Sequence, residues 1–439
     1  MKIAFNSPTR KRLTAAVVLV FVLAYMGLAT REFAASWLGS RTDLNSLERA
    51  AWLDSGNAEY RNHVGRYYDL VARDPLTAIG HFKAAVQLNP HSADYWFDLA
   101  SAYQVLGNTA NQTVALERAI QADPMKPDVA WTAANFYLVQ GDKEKALHEF
   151  RVVMANDTSL AASAIAFCWR ITPDVDVLLR DAVPPTANAY VAFLALLQND
   201  VTLQFRKVVA PTDDTDVASL ALQIKNETAG TFKIWDALLQ THQPFEARYA
   251  NDYIQFLIQH KEVDQAVLAW QETATLFERT SYLPSPGNLV VNGNFSLRVL
   301  NAGFDWQIQK QTVVRVTLDP AEPYGGQPSL SISFDGPRIS DAGIFQYIPV
   351  QPSTTYEFSA HYKTKGDVEG AGGPHFTVQD MYSQAVYYES DELRDAVSWK
   401  PTDGEHPRSR PRSRSPNWRN ASKVMTTPSA PSSKPFANS

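Results

Sequence analysis

The stretch ADYWFDLASAYQVLGNTANQTVALERAIQADP, residues 93–124, is the part of the 439-residue chain from which the rest can be read. Its residue types return every 34 positions. Phe82, Leu116 and Phe150 make one such series, and Ala85, Ala119 and Val153 another. Tyr103 and Tyr137, Gly107 and Gly141, and Pro90 and Pro124 keep the same spacing. A fixed period of this length means one supersecondary unit repeated and stacked. The residue types say what the unit is. Small residues at Gly65, Ala100 and Ala134 let a first helix approach a second, and the aromatics Tyr68, Tyr103 and Tyr137 fill the space one turn later. Gly107 and Gly141 suit the left-handed conformation that ends the first helix. The prolines cannot continue the second helix and stop it near the next unit. One such pair alone leaves an apolar face wet, so the units must stack.

With Ala78, Phe82, Ala85 and Pro90 at spacings of four, three and five, the pattern resembles the tetratricopeptide repeat (TPR). The resemblance is clearest over residues 58–158. It implies a stack of helix pairs that binds partners rather than transforming them. The first repeat carries one extra residue, placed here in the loop 72–75, and the third has Thr158 where proline is usual. Helical patterning extends further, in apolar segments at 160–171, 174–182, 187–197 and 218–224, and a better repeat match returns at 246–278. Residues 45–280 therefore read as one α-solenoid of roughly six helix pairs with a degenerate middle.

In tetratricopeptide proteins the groove is lined by positions two, five, nine and twelve of each first helix. Carried onto this chain, the resemblance implies a partner-binding groove formed by Asn62, Arg66 and Asp69, by Asp94, Phe97, Ser101 and Gln104, and by Asp128, Trp131 and Asn135. Phe97 and Trp131 share position five, which sets them side by side on the concave face. Such a pair, flanked by Asp, Asn and Gln, suits a peptide or a sugar chain. The competing reading is that Trp131 packs against its neighbouring helix.

Ahead of the repeats, residues 1–12 form a basic stub ending Arg10-Lys11-Arg12. Residues 13–29 are apolar or small apart from Thr14. At about 1.5 Å per residue they are just long enough to cross a bilayer. The basic flank predicts a cytoplasmic N-terminus with the bulk of the chain outside, in a periplasm or cell envelope. Two readings compete: an uncleaved transmembrane helix or signal anchor, and a signal peptide removed at the small residues Gly27-Leu28-Ala29.

Pro284-Ser285-Pro286-Gly287 marks a change of period. Val314, Val316 and Leu318 alternate with polar residues, as do Leu330, Ile332 and Phe334, and Tyr356, Phe358, Ala360 and Tyr362. Turn signals at Asp335-Gly336-Pro337 and Gly372-Gly373-Pro374 separate the runs. Residues 288–405 therefore read as an antiparallel sandwich. The segment 288–296, NLVVNGNFS, the Gly-x-x-Trp at 303–306, and FQYIPVQPSTTYEF at 345–358 resemble carbohydrate-binding-module-like (galactose-binding-like) jelly rolls. That resemblance implies glycan stacking, with Trp306, Tyr324, Tyr347, Tyr382, Tyr387 and Tyr388 as candidates. Trp306 is also the residue such domains turn inward, and Tyr387 and Tyr388 must face opposite sides if both lie on a strand.

Residues 406–439 break the pattern. They hold no acidic residue and seven basic ones, among them Arg408, Arg410, Arg412 and Arg414. This composition predicts a disordered basic tail with no strand to close a jelly roll. It is also what a displaced reading frame near Glu405 would produce; the alternative is a basic tail touching anionic polysaccharide or lipid.

The fold class is thus multidomain α plus β: a TPR-type α-solenoid, then an antiparallel β-sandwich of jelly-roll type, behind one N-terminal transmembrane helix. A net charge of −6 argues against nucleic acid as a partner. The single cysteine, Cys168, excludes an internal disulfide framework and reads as a buried, unreactive thiol. No GxGxxG, Walker loop, GxSxG or HExxH occurs, and the flexible turn 370–373 is no phosphate loop. Asp174 and Asp176, and Asp213-Asp214, read as helix N-terminal charges rather than catalytic acids. No enzyme, metal or cofactor is expected. The expectation is an envelope scaffold that holds protein partners, and also polysaccharide through its sandwich, in glycan or envelope assembly and export. Alternatives are an accessory subunit of a carbohydrate-active enzyme system, or a structural scaffold in secretion or cell division.

Overall fold

The computed structural model describes residues 8–211, 216–335, 339–365 and 373–402, and the backbone of Ser422–Thr427. Asp213-Asp214, the turn residues Gly336-Pro337 and 370–372, and the tail outside Ser422–Thr427 lie outside the described residues. The chain divides into two compact units, 1–243 and 244–439.

The first unit is a tetratricopeptide-like solenoid, helical among its described residues. It opens with α1 (Pro8–Gly39) and α2 (Leu44–Leu53). The three repeats follow as the pairs α3 (Ala58–Arg66) with α4 (Pro75–Leu88), α5 (Ala93–Val105) with α6 (Thr109–Ala122), and α7 (Pro127–Gln140) with α8 (Lys143–Asn156). Next come α9 (Ala161–Ile171), α10 (Val175–Asp181), α11 (Ala187–Val209) and α12 (Val217–Gln240). The periodic apolar residues form the core: Ala78, Phe82, Ala85, Leu116, Ala119, Ala146 and Phe150 are all buried. Gly65 abuts Phe82 so closely that a Cβ there would come within 2.6 Å of its ring. Gly107 and Gly141 have φ of +66° and +83°, the left-handed conformation that ends α5 and α7. Trp96 donates its indole N–H to the Pro90 carbonyl at 2.8 Å, tying α5 to the end of the preceding unit.

The extra residue of the first repeat is not in the loop. It is taken up in the last turn of the first helix, where Tyr67–Val71 forms a π-turn. The Ala72 N–H reaches back five residues to the Tyr67 carbonyl at 3.1 Å, and Asp74 N–H reaches Tyr68 O at 2.8 Å. One residue inserted into a helix is accommodated by widening a single turn. Tyr68 thereby keeps its packing place and stacks on His81, with centroids 5.5 Å apart.

The second unit begins earlier than the change of period suggests. Helices α13 (Ala247–Gln259) and α14 (Val263–Leu276), read from sequence as the end of the solenoid, cluster with the β region. Their contacts explain this. Trp270 meets Phe304 edge-on at 6.1 Å and donates to the Tyr282 carbonyl, while Tyr382 Oη donates to the Ile258 carbonyl at 2.6 Å. Gly303, with φ of +56°, lies against the Trp270 ring where no side chain fits.

The strands are β1 (Gln307–Ile308), β2 (Val314–Tyr324), β3 (Gln327–Phe334), β4 (Ile344–Ile348), β5 (His361–Tyr362), β6 (His375–Asp380), β7 (Val386–Glu389), β8 (Lys400–Pro401) and β9 (Ser422–Thr427). They make a five-stranded antiparallel sheet in the order β1-β4-β9-β6-β7, a β2-β3 hairpin and a β5-β8 pair. Alternate hairpin residues Val314, Val316, Leu330 and Ile332 pack on Trp306, Ala342 and Ile344. Among the described residues this is a small antiparallel sheet region, and they do not complete the jelly-roll sandwich read from sequence. In the segment 349–360, Pro349, Pro352 and a left-handed Ser353 (φ +56°) interrupt the extended run after β4, and Ala360 rejoins through the Thr402 N–H, which donates to its carbonyl at 2.8 Å. The tail also differs from its unstructured reading, because its Ser422–Thr427 backbone pairs with both β4 and β6.

Candidate functional site

The candidate partner-binding positions lie on the first helices of the repeats: α3 with the π-turn that ends it, α5 and α7. Side-chain caps hold each second helix in place: Asp74, Asn108 and Asp142 accept backbone N–H bonds at the starts of α4, α6 and α8. These three caps are themselves 34 residues apart, a repeat signal the packing pattern did not need.

The implied groove residues separate into three groups. Asp94, Asp128, Asn135 and Arg66 are exposed; Asp69, Ser101, Gln104 and Trp131 are half-buried; Asn62 and Phe97 are buried. The exposed pair Phe97–Trp131 is not formed. Phe97, 8% exposed, stacks in parallel on Phe136 at 5.9 Å. Trp131 meets Phe150 and Phe167 edge-on at 5.4 and 5.5 Å. Both rings fill the seam between successive helices, because Val129, Ala130 and Ala133 on α7 are too small to fill it. The correction removes Phe97 as a stacking surface and makes Trp131 a packing residue.

A polar link replaces the aromatic one. Asp98 on α5 accepts from Asn62 Nδ2 at 2.7 Å and from Arg66 Nε at 2.6 Å, both on α3. Asp98 was missed because its position in the repeat is not one the resemblance assigns to the groove. Asn62 is 2% exposed, and its Oδ1 has no partner. Asp69 sits in the π-turn, where burial and then the charge of Asp98 push its carboxyl pKa up. The first-helix segments therefore carry exposed Asp94 and Asp128 and half-buried Asp69 and Asp98, of which Asp98 pairs with Arg66.

The six aromatics of the second unit also separate. Trp306, 6% exposed, donates to Asn292 O at 3.2 Å and packs on Phe295, so it is core. Tyr347 is 7% exposed and packs on Phe345. Tyr382 is half-buried, with its hydroxyl given to α13 and Lys261 Nζ over its ring at 5.4 Å. Tyr388 turns inward against Phe358, whereas Tyr387 on the opposite face of β7 is exposed. Tyr324 is exposed and belongs to a cluster absent from the sequence reading: its ring stacks on His361 at 4.4 Å and meets Trp399 at 5.3 Å. Glu322 beside it pairs with Lys363 at 2.6 Å and Lys365 at 2.9 Å. Tyr324 and Tyr387 are thus the two of the six whose side chains are exposed.

Asp174 caps α10, and Asp176 pairs with Lys233 at 2.7 Å. Burial pushes the Cys168 thiol up to about 12.

No family model matches the chain, and no curated protein matches it. Solved structures similar to parts of it include MamA, at 19% identity over 36% of this chain and 86% of that one, with a TM-score of 0.27. Another is PilF of Pseudomonas aeruginosa, at 16% identity over 51% of this chain and 93% of that one, TM-score 0.26. A third is YrrB, a TPR protein with an unusual peptide-binding site, at 9% identity over 54% and 95%, TM-score 0.22. Likenesses this remote say nothing of what this chain binds.

Proposed function

We propose that this chain is a non-catalytic, membrane-anchored scaffold whose solenoid holds an extended segment of a partner protein along the first-helix face of its repeats. The acidic residues of those helices carry the reading: Asp94 and Asp128 are exposed, and Asp69 and Asp98 are half-buried. Such residues favour a partner segment rich in Lys or Arg and speed its encounter. The anchor reading is supported by α1, which carries an 18-residue apolar window. The helix runs unbroken through Gly27-Leu28-Ala29 and goes on to bury Ala35 and Gly39 in the solenoid, which favours an uncleaved anchor over a removable signal. Arg10, Lys11 and Arg12 ahead of the span favour a cytoplasmic N-terminus and an extracytoplasmic solenoid.

A role in polysaccharide or envelope assembly is the finer reading. The Tyr324–His361–Trp399 cluster supports it, as an exposed aromatic surface beside the Glu322–Lys363 pair.

Peptide arrays probed with the full-length protein in detergent test the main reading. Basic extended peptides should bind and acidic ones should not. Asp94→Lys with Asp128→Lys should weaken binding about tenfold, with the difference shrinking at high salt. Binding that ignores both the charge of the peptide and these substitutions would overturn it.

A further inference from the structure

The join between α1 and the repeats leaves large aromatic side chains uncovered. Phe33 is 72% exposed, Trp37 53% and Trp52 78%. On α1, Ala35, Leu38 and Gly39 form the stripe that packs into the solenoid, with Gly39 against Tyr60. Phe33 and Trp37, four residues apart, lie on the opposite face, continuing the stripe of Met26 and Thr30.

Their level along the helix can be worked out. Twenty residues from Leu13 at about 1.5 Å each span a hydrocarbon core of about 30 Å and reach Glu32. At that boundary Arg31 and Glu32 pair with one another at 3.1 Å. The headgroup layer beyond is about 5–8 Å deep, which is the reach of the next five residues, 33–37. The short connection 40–43 then reverses the chain, and α2 packs back along α1. Ten residues of α2 descend about 15 Å, which returns its far end to the level of Arg31 and Glu32. Tyr60 lies against Gly39 and links the two ends: burial raises its pKa first, then the charge of Asp54 at the end of α2, while a hydrogen bond with Ser36 of α1 lowers it. Trp52, two residues before Asp54, therefore falls within the layer spanned by residues 33–37.

We propose that the end of α1 and the end of α2 are seated in the headgroup layer of the bilayer, with Phe33, Trp37 and Trp52 as interfacial anchors. Tryptophan is favoured at this depth, where its ring is shielded and its N–H stays wet. Arg41, whose guanidinium lies 4.5 Å over the Trp37 ring, is placed to meet a lipid phosphate. Residues 31–54 hold three arginines and four acidic residues, so the seat rests on the aromatics and needs no anionic lipid. The first repeat then begins at the membrane surface with no flexible spacer. This rests on the anchor reading proposed above.

The test is nitroxide accessibility on the full-length protein in phosphatidylcholine vesicles. Single cysteines replace Val20, Trp52 and Val139, the last 70% exposed on α7. Cys168 is fully buried and does not compete for the label. Access of a water-soluble nickel chelate should be roughly tenfold lower at position 52 than at 139, because the headgroup layer excludes it, and oxygen should dominate at 20. Chelate access at 52 equal to that at 139, with 20 still in lipid, overturns the proposal and leaves the anchor standing. Chelate access at 20 overturns the anchor reading and this proposal with it.

Discussion

Two glycines show how much single residues decide here. Replacing a helical glycine by alanine gains up to about 1 kcal/mol from backbone entropy alone. At Gly80 on α4 nothing stands within 4 Å of the added methyl, so Gly80→Ala should raise the melting temperature. At Gly65 the methyl meets the ring of Phe82, which is 1% exposed and cannot swing away. Gly65→Ala should therefore destabilise by about 1–3 kcal/mol. Thermal melts of the two variants, followed by circular dichroism, should move in opposite directions. Phe97→Ala should cost about 3–5 kcal/mol, since its ring fills the seam with Phe136. A binding defect in that variant would report unfolding, whereas Asp94 and Asp128 can be changed without touching the core. The role of Gly65 was legible in the sequence, because the small residue recurs where helices touch. The burial of Phe97 was not. Position five of a first helix faces the groove only if the next helix leaves it free, and the size of Phe136 is a tertiary fact. Asp305 was equally hidden. It is fully buried, Oδ2 accepts the Leu300 N–H at 2.6 Å, and burial raises its pKa against the lowering effect of its hydrogen bonds. A raised carboxyl favours folding below its unfolded value of about 4, and that contribution is lost as pH rises through the folded value. Asp305→Asn should flatten the fall in stability from pH 4 upward, as read by chemical denaturation across pH.

At the scale of elements, the 34-residue period carried most of the first unit. It located the pairs α3–α4, α5–α6 and α7–α8 and found the surplus residue, but not where the surplus goes. A loop and a widened helical turn absorb one residue equally well in a sequence, and the choice fell to Tyr68, which must reach His81. The caps were legible and unread: Asp74, Asn108 and Asp142 repeat at the same period. Asn108→Ala and Asp142→Ala should each cost about 0.5–2 kcal/mol. Ser92→Ala should cost little, because the Ser92 side chain makes no cap bond. The β region was less legible. Strand β9 pairs through its backbone with β4 and β6, and backbone pairing leaves no mark in a composition dominated by Arg, Pro and Ser.

For the molecule as a whole, helical patterning runs on to residue 280, whereas the structure divides the chain at 243. Helical periodicity says that 246–278 is a helix pair; it does not say what the pair packs on. Trp270, Tyr282 and Phe304 settle that through contacts with side chains far along the chain. The proposed function rests on the first unit, in which an apolar helix is joined through α2 to repeats whose first helices expose Asp94 and Asp128. Its central claim is that the first-helix face holds the partner. The most direct measurement is photocrosslinking in native membranes, with a photoreactive residue in place of Asp94 or Asp128 on that face and, in parallel, Glu117 or Arg118 on α6. The account predicts that positions 94 and 128 cross-link to one and the same protein and that 117 and 118 do not. Equal cross-linking from both faces, or cross-linking from α6 alone, would contradict it.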